Sequence, residues 1–423
     1  METIERNSLR SQRQARAATL IKPKEGLGFW AVPMAILVLL AYIVAMYVGF
    51  RLPNLWSANY YLPSFQEGFY RRGLVGALMY YLGDMRFDYY VTMYISFALF
   101  GLVAILVFFK VLKNGHIAWI FTLFLLSPYG GYAFHTIGYI DYLLMLLLFL
   151  AVAINNRIVG IILLTVSLFI HEQTVFTTIP AYFAYRLYRG DRLFSLVPYA
   201  FIMLAIIGAF SIYCQEIPGE TIGAFMDKVR QKINYPFRDD FYWHFPETFS
   251  VKTARLDRYY NLVDAHNIAY LIPLAAVVGY LFSSRGDTPA EQVFMAAVGI
   301  FACAAPLLMG ALAWDCSRWE FLSACFAMMM IYYARDIVSW RESLVCTLAM
   351  LSIIPLTELF YFDDYRPRQV IYREIPKPET PWEYKYAINK QEIEDFFTRE
   401  LFVEASKKPC AQRIDQKTDC LGR

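Results

Sequence analysis

Long stretches without a charged residue constrain the fold of this chain more than any other feature. Residues 29–50 and 292–314 contain no charge, and residues 261–283 contain one aspartate. About 20 apolar residues in an α-helix cross the hydrocarbon core of a bilayer, and in lipid the backbone must satisfy its own hydrogen bonds. A composition of 58% hydrophobic and only 18% charged residues fits a lipid solvent better than water. The sequence therefore predicts an all-α, polytopic transmembrane helical bundle.

Apolar runs and the connectors between them predict about eleven spans. The predicted spans are 29–50, 89–110, 117–128, 138–154, 158–170, 174–188, 194–213, 266–283, 292–313, 318–333 and 343–361. The pairs 117–154 and 158–188 are too short to cross fully, so we expect their tips to lie in a protein-lined cavity. Residues 127–131, with one proline and two glycines, break the first pair at that depth.

Residues 158–188 allow two topologies, one long tilted helix or a tight hairpin with His171 and Glu172 at its tip. The positive-inside rule decides between them, because cytoplasmic connectors carry an excess of Lys and Arg. A hairpin places the basic connectors on the side of the basic N-terminus, whereas a single helix would move every connector after Arg157 to the opposite side. We therefore predict a hairpin and an N-in/C-out orientation.

That topology divides the chain into three parts. Residues 1–28 form a cytoplasmic basic tail, residues 29–361 the transmembrane bundle and residues 362–423 an extracytoplasmic tail. Two larger outer loops, 51–88 and 214–265, join the spans. No small-residue cleavage site follows the first apolar run, so we interpret it as a retained helix.

Several function classes are disfavoured by what the sequence does not contain. Basic residues occur in short connectors rather than in a block, so nucleic acid is not an expected partner. The sequence has no Walker loop, GxGxxG, HExxH or GxSxG motif, which argues against soluble-type nucleotide chemistry on the cytoplasmic side.

Ionisable residues near the predicted outer face are the candidates for function, because charges at membrane depth are costly and seldom incidental. We expect Glu67, Asp84, Asp141 and Glu172 to be catalytic, and Arg71, Arg72, His135, His171, Asp315 and Arg318 to bind substrate or lipid phosphate.

Adjacent arginines at Arg71-Arg72 oppose the positive-inside trend and so need another reason to be there. They lie in a segment that predicts an amphipathic helix along the membrane interface. Guanidinium groups bind phosphate with two hydrogen bonds, which favours anchorage of a phosphate or diphosphate. An ion pair with Glu67 or Asp84, or contact with anionic headgroups, explains them as well. Either carboxylate could act as a general base on a sugar hydroxyl.

His135, Asp141, His171 and Glu172 fall in two neighbouring hairpins. They could form a metal site or a proton relay, or a buried hydrogen-bond network that ties the hairpins together. We favour the network for the two histidines and function for the two carboxylates. A divalent cation, Mg²⁺ or Mn²⁺, remains an option as cofactor.

Asp315 and Arg318 stand three residues apart at a predicted outer turn, flanked by Trp314 and Trp319. A local ion pair with interfacial tryptophans is one interpretation. In the other, Arg318 meets a lipid phosphate while the tryptophans stack on sugar.

The predicted arrangement resembles the GT-C superfamily of polytopic membrane glycosyltransferases, which take sugar from polyprenyl-phosphate donors. The resemblance rests on a long first outer loop with an interfacial helix, short helix pairs, and acid and arginine motifs on the outer face. The segments 68–76, 171–172 and 315–319 are also similar to segments of uncharacterised bacterial envelope-glycan proteins, among them candidate Wzy-type polymerases. Many GT-C members carry a close acidic pair in the first outer loop, whereas here Glu67 stands alone and Asp84 follows farther on.

That resemblance implies an inverting transfer, in which a carboxylate deprotonates the acceptor and arginines stabilise the leaving phosphate. We therefore expect a hexosyl- or pentosyltransferase in the bacterial inner membrane. Its partners would be a polyprenyl-linked sugar donor, a glycan or lipid-linked acceptor, and membrane lipids. One alternative is a Wzy-type polymerase or ligase that uses diphosphate-linked oligosaccharides. Another is an ion-coupled transporter.

Overall fold

The computed structural model describes residues 31–53, 55–65, 72–213, 222–233, 235, 262–311, 316–354 and 359. Within these residues the regular secondary structure is helical and no strand forms, in agreement with the all-α prediction. The α-helices are α1 (Ala31–Gly49), α2 (Leu55–Asn59), α3 (Gly73–Leu82), α4 (Tyr89–Val111), α5 (Gly115–Leu126), α6 (Pro128–His135), α7 (Asp141–Ile154), α8 (Arg157–Ile170), α9 (Thr178–Tyr188), α10 (Leu193–Tyr213), α11 (Ile222–Arg230), α12 (Leu262–Ser283), α13 (Pro289–Ala304), α14 (Cys316–Tyr333) and α15 (Trp340–Ile353). Short 3-10 helices cover Glu172–Val175 and Ala305–Ala311.

Four helical segments of the described residues are long and apolar enough to cross a membrane: α1, α4, α10 and Pro289–Gly310. The pair α5 and α6 makes a fifth if it is counted as one span bent by 71°. This part of the chain is therefore a membrane-embedded helical bundle. The full set of eleven spans stays a prediction. Both tails and most of the second outer loop lie outside the described residues.

The bend between α5 and α6 occurs at Ser127, which has an extended backbone. Its hydroxyl donates to the Phe124 carbonyl at 2.6 Å, and Pro128 then starts α6 because its missing N–H is not needed in a first helical turn. The break is therefore where the sequence places it, but the chain resumes a helix at once. A Cβ on Gly49 would lie 1.7 Å from the Gly131 carbonyl oxygen, so α1 and α6 touch backbone to backbone.

Helices α8 and α9 form the predicted hairpin rather than one long helix. The first turn of α8 faces the middle of α9. A Cβ on Gly160 of α8 would lie 2.0 Å from the hydroxyl oxygen of Tyr182 in α9. At the open end, Arg157 Nη2 donates to Asp191 Oδ1 at 2.6 Å. The chain therefore reverses direction at the 3-10 turn that begins with Glu172.

Other basic connectors lie at the same end of the bundle as Arg157. The Arg285 guanidinium carbon is 4.5 Å from the centre of the Tyr188 ring at the end of α9. Asn114 Nδ2 donates to the Arg335 carbonyl at 3.3 Å. The rings of Tyr185 and Tyr333, with centres 4.6 Å apart, join the C-terminal ends of α9 and α14. We call this the basic end, and the opposite end, with Glu172, the polar end.

The two outer loops pack on each other at the polar end. Helix α3 begins at Gly73, just after the arginines, and overlaps only the end of the predicted interfacial segment, of which residues 66–71 lie outside the described residues. It buries Val75 and Met79 while Leu78 remains 57% exposed. The Phe87 N–H donates to the Lys232 carbonyl just after α11 at 2.7 Å. The described parts of the two loops therefore contact each other.

Candidate functional site

A fully buried ion pair joins α7 to α14 at the polar end. Arg318 Nε donates to Asp141 Oδ2 at 2.8 Å, and Arg318 Nη2 donates to Asp141 Oδ1 at 2.7 Å. Both side chains are 1% exposed. Asp141 stands in the first turn of α7, where the helix dipole also favours a negative charge. This two-bond geometry is the strongest that a guanidinium and a carboxylate can form.

Gln173 connects this ion pair to the tip of the α8–α9 hairpin. Its Nε2 donates to Asp141 Oδ1 at 2.5 Å, and its Oε1 accepts from Arg318 Nη2 at 3.1 Å. The amide thus bonds to both charged groups at once, which fixes its orientation. The two hairpins and α14 are held together by one polar network.

Aromatic rings enclose the Arg318 guanidinium. Arg318 Nη1 donates to the Tyr60 hydroxyl at 3.1 Å. The guanidinium carbon lies 5.3 Å from the Tyr60 ring centre, 4.5 Å from that of Tyr139 and 4.9 Å from that of Trp319. Cation–π attraction of this kind helps to offset the cost of burying the charge.

A second ion pair lies closer to the surface, between Arg72 and Glu172. Arg72 Nε donates to Glu172 Oε2 at 3.0 Å, and Arg72 Nη2 contacts Oε1. These side chains are 17% and 28% exposed, so solvent reaches this pair but not the inner one. The Arg72 guanidinium carbon is 5.1 Å from the Tyr60 ring centre. Tyr60 therefore contacts both guanidinium groups.

His171 is stacked on Tyr60, with ring centres 5.6 Å apart and an angle of 28° between the planes. Its Nδ1 accepts a hydrogen bond from the Gln173 N–H at 3.1 Å and lies 3.5 Å from Glu172 Oε2. His171 thereby shapes the turn that presents Glu172.

Two opposing effects set the charge of Glu172, which lies in the turn outside the helices. Burial by itself raises the pKa of this carboxyl, but the charge and hydrogen bonds of Arg72, together with His171 and a backbone hydrogen bond, hold the pKa well below its usual range. Glu172 is therefore ionised at neutral pH. With Asp141 it balances the charges of Arg72 and Arg318.

The space around Asp141 is tightly filled. The crevice between Asp141, Gln173, Thr177 and Phe326 has no room for a water molecule. A substrate hydroxyl meets the same barrier. Of the two arginine-bound carboxylates, Glu172 is 28% exposed and Asp141 only 1%, so Glu172 is the one within reach of a substrate.

Other predicted site residues lie apart from this network or outside the described residues. His135 is fully buried at the end of α6, and its carbonyl accepts from Arg51 Nε at 3.1 Å. Asp84 is exposed in a turn with a φ of 53°. Glu67, Arg71 and Asp315 lie outside the described residues. Among those that are described, no three His, Cys, Asp or Glu side chains come together as metal ligands would.

Sequence reasoning missed Gln173, Tyr60 and Tyr139 as parts of the site. Gln173 had a signal, since it belongs to the polar interruption that begins with His171. The tyrosines had none, because the chain contains 32 tyrosines and aromatic residues are common at membrane interfaces. Glu320 is also fully buried, two residues after Arg318.

Comparison of the chain with models of protein families, with curated proteins and with solved structures finds no match. The fold and the site therefore define a class only: a membrane-embedded helical bundle with a buried arginine–aspartate pair beneath a solvent-accessible arginine–glutamate pair.

Proposed function

We propose that this protein is an integral membrane glycosyltransferase that takes sugar from a polyprenyl-phosphate-linked donor at its polar end. The observation that carries the proposal is the Arg72–Glu172 pair. It combines, at a solvent-accessible position, a guanidinium group suited to phosphate and a carboxylate suited to a sugar hydroxyl. The acceptor is a glycan or a lipid-linked molecule.

Charge distribution supports an extracytoplasmic position for this site. Basic connectors gather at the opposite end of the bundle, and such connectors face the cytoplasm in membrane proteins. An N-in/C-out orientation in the bacterial inner membrane then exposes Arg72 and Glu172 to the periplasm. Lipid-linked sugars are used on that face.

In the proposed reaction, Arg72 binds the phosphate of the donor and Glu172 accepts the proton of the acceptor hydroxyl. The hydroxyl oxygen then forms a bond to the anomeric carbon of the sugar, and the bond between that carbon and the phosphate oxygen breaks. The electron pair leaves with the polyprenyl phosphate, whose added charge Arg72 stabilises. Arg318 and Asp141 hold the Tyr60 ring and the hairpin tip in place. Glu67, Arg71, Asp84 and Asp315 remain candidates for further roles.

Transfer of a radiolabelled sugar from polyprenyl phosphate by the purified protein tests the proposal. Arg72→Ala and Glu172→Gln should each lower the rate by about 100-fold or more, since loss of general-base or charge-stabilising groups has effects of this size. Asp227→Asn, an exposed carboxylate of α11 paired with Arg230, is the control and should retain the wild-type rate. Wild-type rates in both test variants would refute the assignment.

The length of the glycan product separates a transferase from a polymerase. A strain that lacks a polymerase accumulates single repeat units on its surface. Loss of one sugar from an otherwise full-length glycan indicates a transferase.

A further inference from the structure

We infer that Glu172 occupies, as an internal ligand, the anion site formed by Arg72, and that the phosphate of a lipid-linked substrate displaces it. This inference rests on the proposed function and adds a regulatory step to it. The site is masked by the protein's own carboxylate until a phosphate is present.

Geometry makes the carboxylate a mimic of phosphate. Glu172 places its two oxygens on Nε and Nη2 of Arg72, the same edge of the guanidinium that binds two oxygens of a phosphate group. Both ligands cannot occupy that edge together. Binding of a phosphate there therefore requires the carboxylate to leave.

Exposure distinguishes the pair that can exchange from the one that cannot. Arg72 and Glu172 are 17% and 28% exposed, whereas Arg318 and Asp141 are each 1% exposed. Separation of the inner pair would leave two buried charges without their opposite charges, which is strongly unfavourable. The exchange is confined to the surface pair.

Tyr60 fixes the arginine side of the exchange. Its ring contacts Arg72 on one side, and its hydroxyl accepts from the buried Arg318. The guanidinium of Arg72 thus rests on a support that is anchored in the bundle. Glu172, on a short 3-10 turn, is the partner that moves.

Displacement also changes the chemistry of Glu172. The Arg72 guanidinium holds the pKa of this carboxyl low, and a carboxylate with a low pKa is a weak base. A phosphate on Arg72 removes that effect, so the pKa of Glu172 rises towards its ordinary value. His171 Nδ1 lies 3.5 Å from Glu172 Oε2, and Asp141 is bound to Arg318 rather than to Glu172. The base becomes effective only when the donor is bound.

Binding of polyprenyl monophosphate to the purified protein in phosphatidylcholine nanodiscs tests this exchange. Glu172→Gln removes the internal competitor and should tighten binding by about five-fold, the upper range for a partly exposed ion pair. Arg72→Ala removes the site and should weaken binding by about ten-fold or more. Combined with Arg72→Ala, Glu172→Gln should no longer tighten binding. Asp227→Asn is the matched carboxylate control and should bind as the wild type does.

Unchanged or weaker binding by Glu172→Gln, in a variant that unfolds at the wild-type temperature, would overturn the inference. Glu172→Asp is a second variant, in which the shorter side chain brings its carboxylate less close to Arg72. It should bind polyprenyl monophosphate with an affinity between those of the wild type and Glu172→Gln. Inorganic phosphate as the probe identifies the source of the anion. If inorganic phosphate gives the same order of affinities among the variants, the phosphate group alone drives the exchange. If only the lipid gives that order, the polyprenyl chain is also needed.

The outcomes for binding and for transfer are independent. If Glu172→Gln tightens binding but no sugar is transferred by the wild type, the exchange stands and the transferase assignment fails. If transfer occurs and binding does not follow the expected order, the exchange fails and the transferase assignment stands.

Discussion

At the scale of residues, two ion pairs in different surroundings have different tasks. Arg318 and Asp141 are fully buried, bonded twice to each other and bonded again to Gln173. Arg72 and Glu172 have similar geometry but remain partly exposed. Burial makes the first pair expensive to break, whereas partial exposure leaves the second in contact with solvent. Substitution of Arg318 should therefore mainly lower stability, and substitution of Arg72 should mainly lower the affinity for phosphate.

Arg318→Ala should destabilise the protein by roughly 3–5 kcal/mol, because it leaves the Asp141 carboxylate buried without its counter-charge. Arg72→Ala is the control and should cost less, about 1 kcal/mol, because solvent reaches its partly exposed pair. Thermal unfolding in detergent measures both. Replacement of both buried partners, Asp141→Leu with Arg318→Met, should cost less than Arg318→Ala alone. Equal unfolding temperatures for Arg318→Ala and Arg72→Ala would contradict this account.

At the scale of elements, short helices and their breaks are what position the site. The α8–α9 hairpin turns at residues 171–175, and α7 begins at Asp141 after the bent pair α5 and α6. Sequence patterns located both breaks, because Pro128 and the polar residues after Ile170 interrupt apolar runs. The same patterns did not predict that α6 is helical, because a segment with two glycines has a low helix propensity. Packing against α1 stabilises the helix here.

Gly49→Ala should destabilise the bundle by roughly 1–3 kcal/mol, because the added methyl group would lie 1.7 Å from the Gly131 carbonyl oxygen and force α1 away from α6. Gly101→Ala is the matched control. It also lies in a membrane helix, α4, but its added Cβ meets nothing within 4 Å, so the variant should be neutral or slightly more stable. Thermal unfolding of the two variants in the same detergent compares them. A smaller loss for Gly49→Ala than for Gly101→Ala would disprove the close approach as the cause.

At the scale of the whole molecule, charge separates the bundle into two ends. The basic end carries connectors whose arginines pair with Asp191 or rest on tyrosine rings. The polar end carries the two arginine–carboxylate pairs and the packed outer loops. This division supports the proposed N-in/C-out orientation.

Cysteine labelling tests the orientation directly. In a chain whose native cysteines are replaced, Asp84→Cys and Arg189→Cys introduce thiols at exposed positions of the polar and basic ends. A membrane-impermeant maleimide should label the Asp84→Cys variant in intact cells and the Arg189→Cys variant only after permeabilisation. The reverse pattern would place the polar end in the cytoplasm and exclude the proposed periplasmic reaction.

The sequence by itself determined the class of this protein, its helical character, the α8–α9 hairpin and the chain segments that carry the site. These features depend on the length of apolar runs and on the side where basic residues fall, and the bilayer imposes both constraints locally. Tertiary structure alone decided which charges meet. Sequence spacing suggested local partners for Arg318 and the first-loop arginines, whereas Arg318 pairs with Asp141, 177 positions away, and Arg72 with Glu172, 100 positions away. Such pairs form because packing brings distant helix ends together in a setting where a buried charge must find an opposite charge.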